Sequence, residues 1–167
     1  MSTVEGLIEK LKLVPHPEGG YYARTYQSEG NISQECLSGG VNGNRPFSTA
    51  IYFLLEKGKF SAFHRIKSDE CWHFYTGETL LIHIINPAGE LVTVKLGNKI
   101  EKGEIFQYVV PAGYWFASEP AFHTSFSFVG CTVAPGFDFE DFELAHAADL
   151  VKQYPQHKLL IERLCRQ

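Results

Sequence analysis

The amino-acid sequence predicts an all-β fold, a jelly-roll barrel with short helices at its N- and C-termini. Three observations carry this expectation. From Phe47 to position 133, short runs rich in β-branched and aromatic residues follow one another at the spacing of an all-β barrel or sandwich. Turn formers punctuate them at Gly77-Glu78, Asn86-Pro-Ala-Gly89, Gly97-Asn98 and Pro111-Ala-Gly113. Helical spacing of apolar residues is confined to the two ends of the chain.

Taken in order, Ser2-Thr-Val-Glu5 reads as a capping box, and Val4, Leu7, Ile8 and Leu11 fall on one helical face. Pro15-His-Pro-Glu-Gly-Gly20 ends that helix and turns into a strand over 21–27. Residues 28–45, with Gly39-Gly40 and Asn42-Gly-Asn-Arg45, form a long polar loop or hairpin, a lid or a surface tip. Strands are predicted over 47–56, 60–66, 71–76, 79–86, 91–96, 104–110, 113–117 and 123–133. Phe137-Asp-Phe-Glu-Asp-Phe-Glu143 alternates ring and carboxylate, which predicts a barrel exit segment with one packed and one solvated face. It has no glycine-turned ligand loop of the kind calcium needs. Two helices, 145–153 and 155–166, close the chain, with Pro155 in a first turn and Leu159, Leu160 and Leu164 on one face.

All 167 residues make one domain, with the barrel over roughly 20–140 and the C-terminal helices over roughly 145–166. Thirteen Phe, eight Tyr and two Trp supply an aromatic interior or pocket. A net charge of −4 without a basic run speaks against nucleic acid and anionic membranes as partners. Cys36, Cys71, Cys131 and Cys165 are dispersed with no C-x-x-C pair, as expected of free thiols. No signal pattern or apolar span is present, so the expected location is the cytoplasm.

The stretch from Gly58 through His64, Ile66 and Glu70 to Gly77 resembles the first sequence motif of the cupins. That motif has glycine, a His-x-His pair, glutamate and a closing glycine. Gly58, His64, Glu70 and Gly77 match, while Ile66 stands where the second metal-binding histidine belongs. Alternation along a strand points positions 64 and 66 to the same face, so Ile66 keeps the inward direction and removes a ligand. Pro111-Ala-Gly113 resembles the turn of the second motif, but the histidine slot is Phe116 and the asparagine slot is Pro120. Ile105 stands at the glycine expected before that turn. Pro17-Glu-Gly-Gly-Tyr-Tyr, Ser68-Asp-Glu-Cys-Trp-His-Phe-Tyr-Thr-Gly77 and 130–144 together resemble one cupin subfamily, formerly a domain of unknown function. Its fold is similar to that of deoxysugar-nucleotide epimerases. The resemblance implies a homodimer, with Tyr21, Tyr22 and Tyr26 on a strand that two subunits could exchange.

Three functions follow as expectations. In the first, a metal-independent cupin acts on a small molecule such as a sugar or nucleotide-sugar, with His64 as base and Glu70 as its partner in epimerisation or isomerisation. The resembling epimerases add a tyrosine acid, for which Tyr52, Tyr75, Tyr108 and Tyr114 are candidates. In the second, the protein binds a ligand without turnover in a pocket of Phe53, Ile66, Trp72, Phe74 and Phe116, with Arg24 or Arg65 at the mouth for a phosphate or carboxylate. No cofactor is expected in either. In the third, a metal is held by His64 and Glu70 with a ligand from His73, His83 or, foremost, His123. His73 has the opposite strand parity to Glu70 and should point away.

Overall fold

Residues 3–166 are described by a computed structural model, built on two facing antiparallel sheets. The first eleven residues set the entry. The predicted cap Ser2 lies outside the described residues, and Thr3 caps helix α1 (Val4–Leu11) by accepting from the Gly6 N–H at 3.1 Å. The apolar face of α1 packs with Leu13, Leu54 and Phe128 on the outside of one sheet.

The strands that follow are β1 (Val14–Pro15), β2 (Tyr21–Gln27), β3 (Asn31–Ile32), β4 (Arg45–Pro46) and β5 (Thr49–Leu55). After them come β6 (Ser61–Arg65), β7 (Asp69–Gly77), β8 (Leu80–Ile85), β9 (Leu91–Leu96) and β10 (Gln107–Val110). The last three are β11 (Trp115–Pro120), β12 (Ser127–Ala134) and β13 (Glu143–Leu144). One sheet runs β1-β2-β5-β12-β7-β10 and the other β13-β6-β11-β8-β9. This is jelly-roll order: from β5 to β12 successive strands change sheet except for the β8–β9 hairpin, and each sheet interleaves early with late strands. The sheets are hydrogen-bonded separately, so the barrel is a sandwich with open edges. All eight strands predicted after Phe47 are present, and residues 28–45 form a short β3–β4 hairpin. Short helices α2 (Ala147–Gln153) and α3 (Lys158–Leu164) follow the second sheet and bury Leu150, Ile161 and Leu164 against Phe63, Ile85 and Trp115.

Inward-facing Phe53, Trp72, Leu80, Ile82, Phe116 and Val129 fill much of the space between the sheets. Each such side chain contributes about 1.5–3 kcal/mol by leaving water. The acidic segment departs from its expected strand alternation. Residues Phe139–Asp141 form a 3-10 turn capped by Asp138, and Asp141 is buried. Its two oxygens accept from the Arg45 Nε and Nη2 groups at 2.7 and 2.9 Å. The turn thereby swings Phe137 and Phe142 to the rim of the sandwich, where a cavity remains. The four cysteines are free, and among the described residues no helix is long and apolar enough to cross a membrane.

Candidate functional site

The cavity is lined on one sheet by Thr49, Ile51 and Phe53 of β5, Glu70 of β7, and Cys131 and Val133 of β12. His64 of β6 and the following Ile66 face them from the second sheet. Strand parity explains this set, because alternate residues of each strand point into the sandwich. The turn joining β1 to β2 brings in His16 and Glu18, and Tyr22, Phe137 and Phe142 complete the wall.

That turn is built for close approach. The His16 N–H donates to the Gly20 carbonyl and the Gly19 N–H to the His16 carbonyl, both at 3.0 Å. Gly19 has φ 118° and Gly20 φ 75°, conformations that a side chain strains. A Cβ on Gly19 would lie 2.2 Å from the Phe60 carbonyl oxygen, and one on Gly20 2.5 Å from that of Leu54. With both glycines the turn lies flat on the sandwich. The Glu18 carbonyl then accepts from the Ala62 N–H at 2.8 Å and from Arg166 Nη2 at 3.2 Å.

The result is a buried contact between Glu18 Oε2 and His64 Nε2 at 3.1 Å. On the other side of the ring, the Ala62 carbonyl lies 2.7 Å from His64 Nδ1. A carbonyl oxygen can only accept, so Nδ1 carries a proton and Nε2 is the nitrogen free to exchange one. The ring packs on Phe116, with centroids 4.1 Å apart. His16 Nδ1 accepts from the Glu18 N–H at 3.3 Å and lies 3.5 Å from Glu18 Oε2.

Burial dominates the electrostatics. It holds the His64 imidazole below its ordinary range, opposed by the Glu70 carboxylate, and lowers His16 likewise against the pull of Glu18. It raises Glu18, opposed by His16. Glu70 is pushed up to about 7, first by burial and then by the like charge of Glu18, with His64 opposing. One Glu70 oxygen, Oε2, is buried with no hydrogen-bond partner among the described residues. Folding therefore binds a proton at Glu70 between its ordinary 4.5 and about 7, and the stability so gained is lost as pH rises through that window. Glu70→Gln is expected to remove this loss. Its stability relative to wild type should rise by about 3 kcal/mol between the two limits, read from urea unfolding at a series of pH values. Parallel pH curves for the two proteins would contradict the assignment.

The sequence-predicted residues divide clearly. His64, Glu70, Phe53 and Ile66 meet at the cavity. Phe116 backs the His64 ring, and Trp72 and Phe74 belong to the packed core. Arg24 is exposed and donates to Gln27 at 2.8 Å, while Arg65 is taken by Glu143 at 2.7 Å and lies over Trp115. The direct partner of His64 is Glu18, which was not expected to act there. Of the candidate tyrosines, Tyr52 and Tyr75 pack on Phe128, and Tyr108 and Tyr114 pack against the core. The tyrosine that lines the cavity is Tyr22. The only advance sign of the second carboxylate was the Pro17-Glu-Gly-Gly-Tyr-Tyr pattern itself.

The histidines offered as extra metal ligands lie elsewhere. His73 faces Thr132 and Gln107, as parity required, and His83 and His123 both reach Glu119, at 3.0 and 3.2 Å. Among the described residues no three His, Cys, Asp or Glu side chains converge to hold an ion. With Ile66 and Phe116 in two ligand slots, the donor set does not fit the metal centre usual in cupins.

Comparison with known proteins agrees with this architecture. The family Cupin_5, described as Cupin superfamily (DUF985), matches residues 5–145. The uncharacterised protein YML079W of Saccharomyces cerevisiae is 31% identical over 161 residues, covering 90% of this chain and 79% of that protein. Protein SO0799 of Shewanella oneidensis superposes with a TM-score of 0.90 at 41% identity, over 99% of both chains. A hypothetical protein of Leishmania major does so with a TM-score of 0.88 at 36% identity, again over 99% of both.

Proposed function

The chain belongs to the DUF985 family of the cupin superfamily, and on that footing we propose that it is a metal-independent isomerase or epimerase of a small carbohydrate. The observation that carries this reading is the His64 Nε2–Glu18 Oε2 contact at 3.1 Å in a cavity, with Nδ1 held protonated by Ala62. Nε2 takes the proton from a carbon beside a carbonyl, and Glu18 holds or passes that proton on. Glu70 lines the same cavity from the facing sheet, with one oxygen unpartnered among the described residues, and supplies the acid that protonates the carbonyl oxygen or returns a proton to carbon. Phe53, Phe137, Phe142 and Tyr22 offer ring surface to the C–H face of a sugar.

The test is isotope exchange. The protein is incubated in D2O with a panel of aldoses, ketoses and keto-sugar nucleotides, and deuterium at the carbon next to the carbonyl is read by NMR. Incorporation that disappears in His64→Gln supports the reading. Incorporation unchanged in His64→Gln refutes it, and binding without incorporation in wild type would assign the cavity to ligand capture alone.

A further inference from the structure

A second depression adjoins the cavity, and Tyr22, Thr49, Ile51 and Phe137 line both. The cavity measures ≈ 40 Å³ and the open groove ≈ 660 Å³. A ligand would thus place only its reacting end in the cavity and its bulk in the groove. We propose that this groove, flanked by Lys12 and Arg24, is the subsite for a phosphate-bearing tail of the ligand. The proposal rests on the reading of the cavity as the seat of proton transfer.

Charge separates the two compartments. Among the described residues no lysine or arginine lines the cavity, whose ionisable wall includes His16, Glu18, His64 and Glu70. Drawing a phosphate into it would bury an anion beside two carboxyl groups with no cation to meet it. The groove is the reverse. Its charged side chains are Lys12, Arg24 and Asp138, and an Asp138 oxygen is engaged by the Glu140 N–H at 2.9 Å. Among the described residues neither Lys12 nor Arg24 lies within ion-pair distance of a carboxylate, although the chain carries a net charge of −4. A guanidinium offers paired donors to phosphate oxygens and an ammonium a point charge.

Two further features suit such a tail. Lys12 has φ 54° at the end of α1, a left-handed position where glycine or asparagine is the usual choice. A long cationic side chain at this strained position stands directly on the groove wall. Phe139, 48% exposed and 5.0 Å from the Phe137 ring, presents an open aromatic surface on the same groove. A nucleobase attached to the phosphate would have a ring to stack on.

Titration calorimetry of the full chain with inorganic pyrophosphate and with uridine diphosphate tests this directly. Both probes are expected to bind, more weakly as salt rises, with the nucleotide the tighter. The Lys12→Ala/Arg24→Ala double variant should lose about tenfold or more in affinity for each. His64→Gln should bind both as wild type does. Both cations are exposed, and circular dichroism of the double variant confirms that its fold is retained. Failure of both probes to bind at millimolar concentration, or undiminished binding by the double variant, overturns the subsite. Isotope exchange with unphosphorylated sugars tests the cavity independently, so failure of the groove and failure of the cavity are distinguished.

Discussion

Glu18→Gln is expected to slow proton exchange at the substrate carbon about 100- to 10,000-fold, with the fold retained. Glutamine fills the space of glutamate and can still hydrogen-bond to His64 Nε2, but it cannot take or give up a proton at that atom. The loss should fall on kcat more than on KM, because the exchanged proton is absent from ground-state binding. The His64 tautomer provides a second readout. The Ala62 carbonyl at 2.7 Å from Nδ1 is untouched by the substitution, so 15N shifts of the imidazole should still report a protonated Nδ1. Exchange within a few-fold of wild type would remove Glu18 from the reaction and leave its contact with His64 a structural one. Glu70→Gln provides the comparison. If Glu70 is the acid, its replacement slows turnover, while the His64–Glu18 contact persists.

Asp141→Ala should destabilise the protein by about 3–5 kcal/mol, the usual cost of leaving one member of a buried ion pair alone. Asp141 and Arg45 are both buried, and Asp141 receives two hydrogen bonds from the guanidinium, at 2.7 and 2.9 Å. Without it, Arg45 keeps the Asn42 and Asn44 carbonyls and a 3.8 Å approach from exposed Glu140. Neither replaces a bidentate carboxylate. The same turn carries Phe142, whose ring lies 5.3 Å from that of His64, so the cavity should open as the turn loosens. Urea unfolding measures the first effect. A loss below about 1 kcal/mol would show that water reaches Arg45 and replaces the carboxylate. Arg45→Met combined with Asp141→Leu should recover much of the stability, since the charge left unpaired in the single variant is then gone.

Much of the fold was legible in advance because its signals are local. A strand of period 2 bounded by Gly, Pro and Asn can be read from a few neighbouring residues, and the strand over 21–27 and the eight strands after Phe47 were found this way. The inward direction of His64 and Ile66 followed from the same alternation. The acidic segment misled for a related reason. Alternating Phe and carboxylate has strand periodicity, yet Asp138 caps a 3-10 turn and Asp141 turns inward to Arg45. Nothing in the seven residues themselves indicates a cation waiting on a distant hairpin.

The candidate site divides along the same line. His64 and Glu70 could be named from their spacing, because they sit on consecutive strands whose faces are set by alternation. Their grouping with Glu18 could not, since it depends on how the β1–β2 turn lies on the sandwich. Gly19 and Gly20 let that turn reach contact with the Phe60 and Leu54 carbonyls, and the backbone clamp on Glu18 then fixes its direction. Local pattern determines which face a side chain takes. Which distant side chain it meets, and hence which proton it can exchange, is decided only when the packed sheets bring the two together.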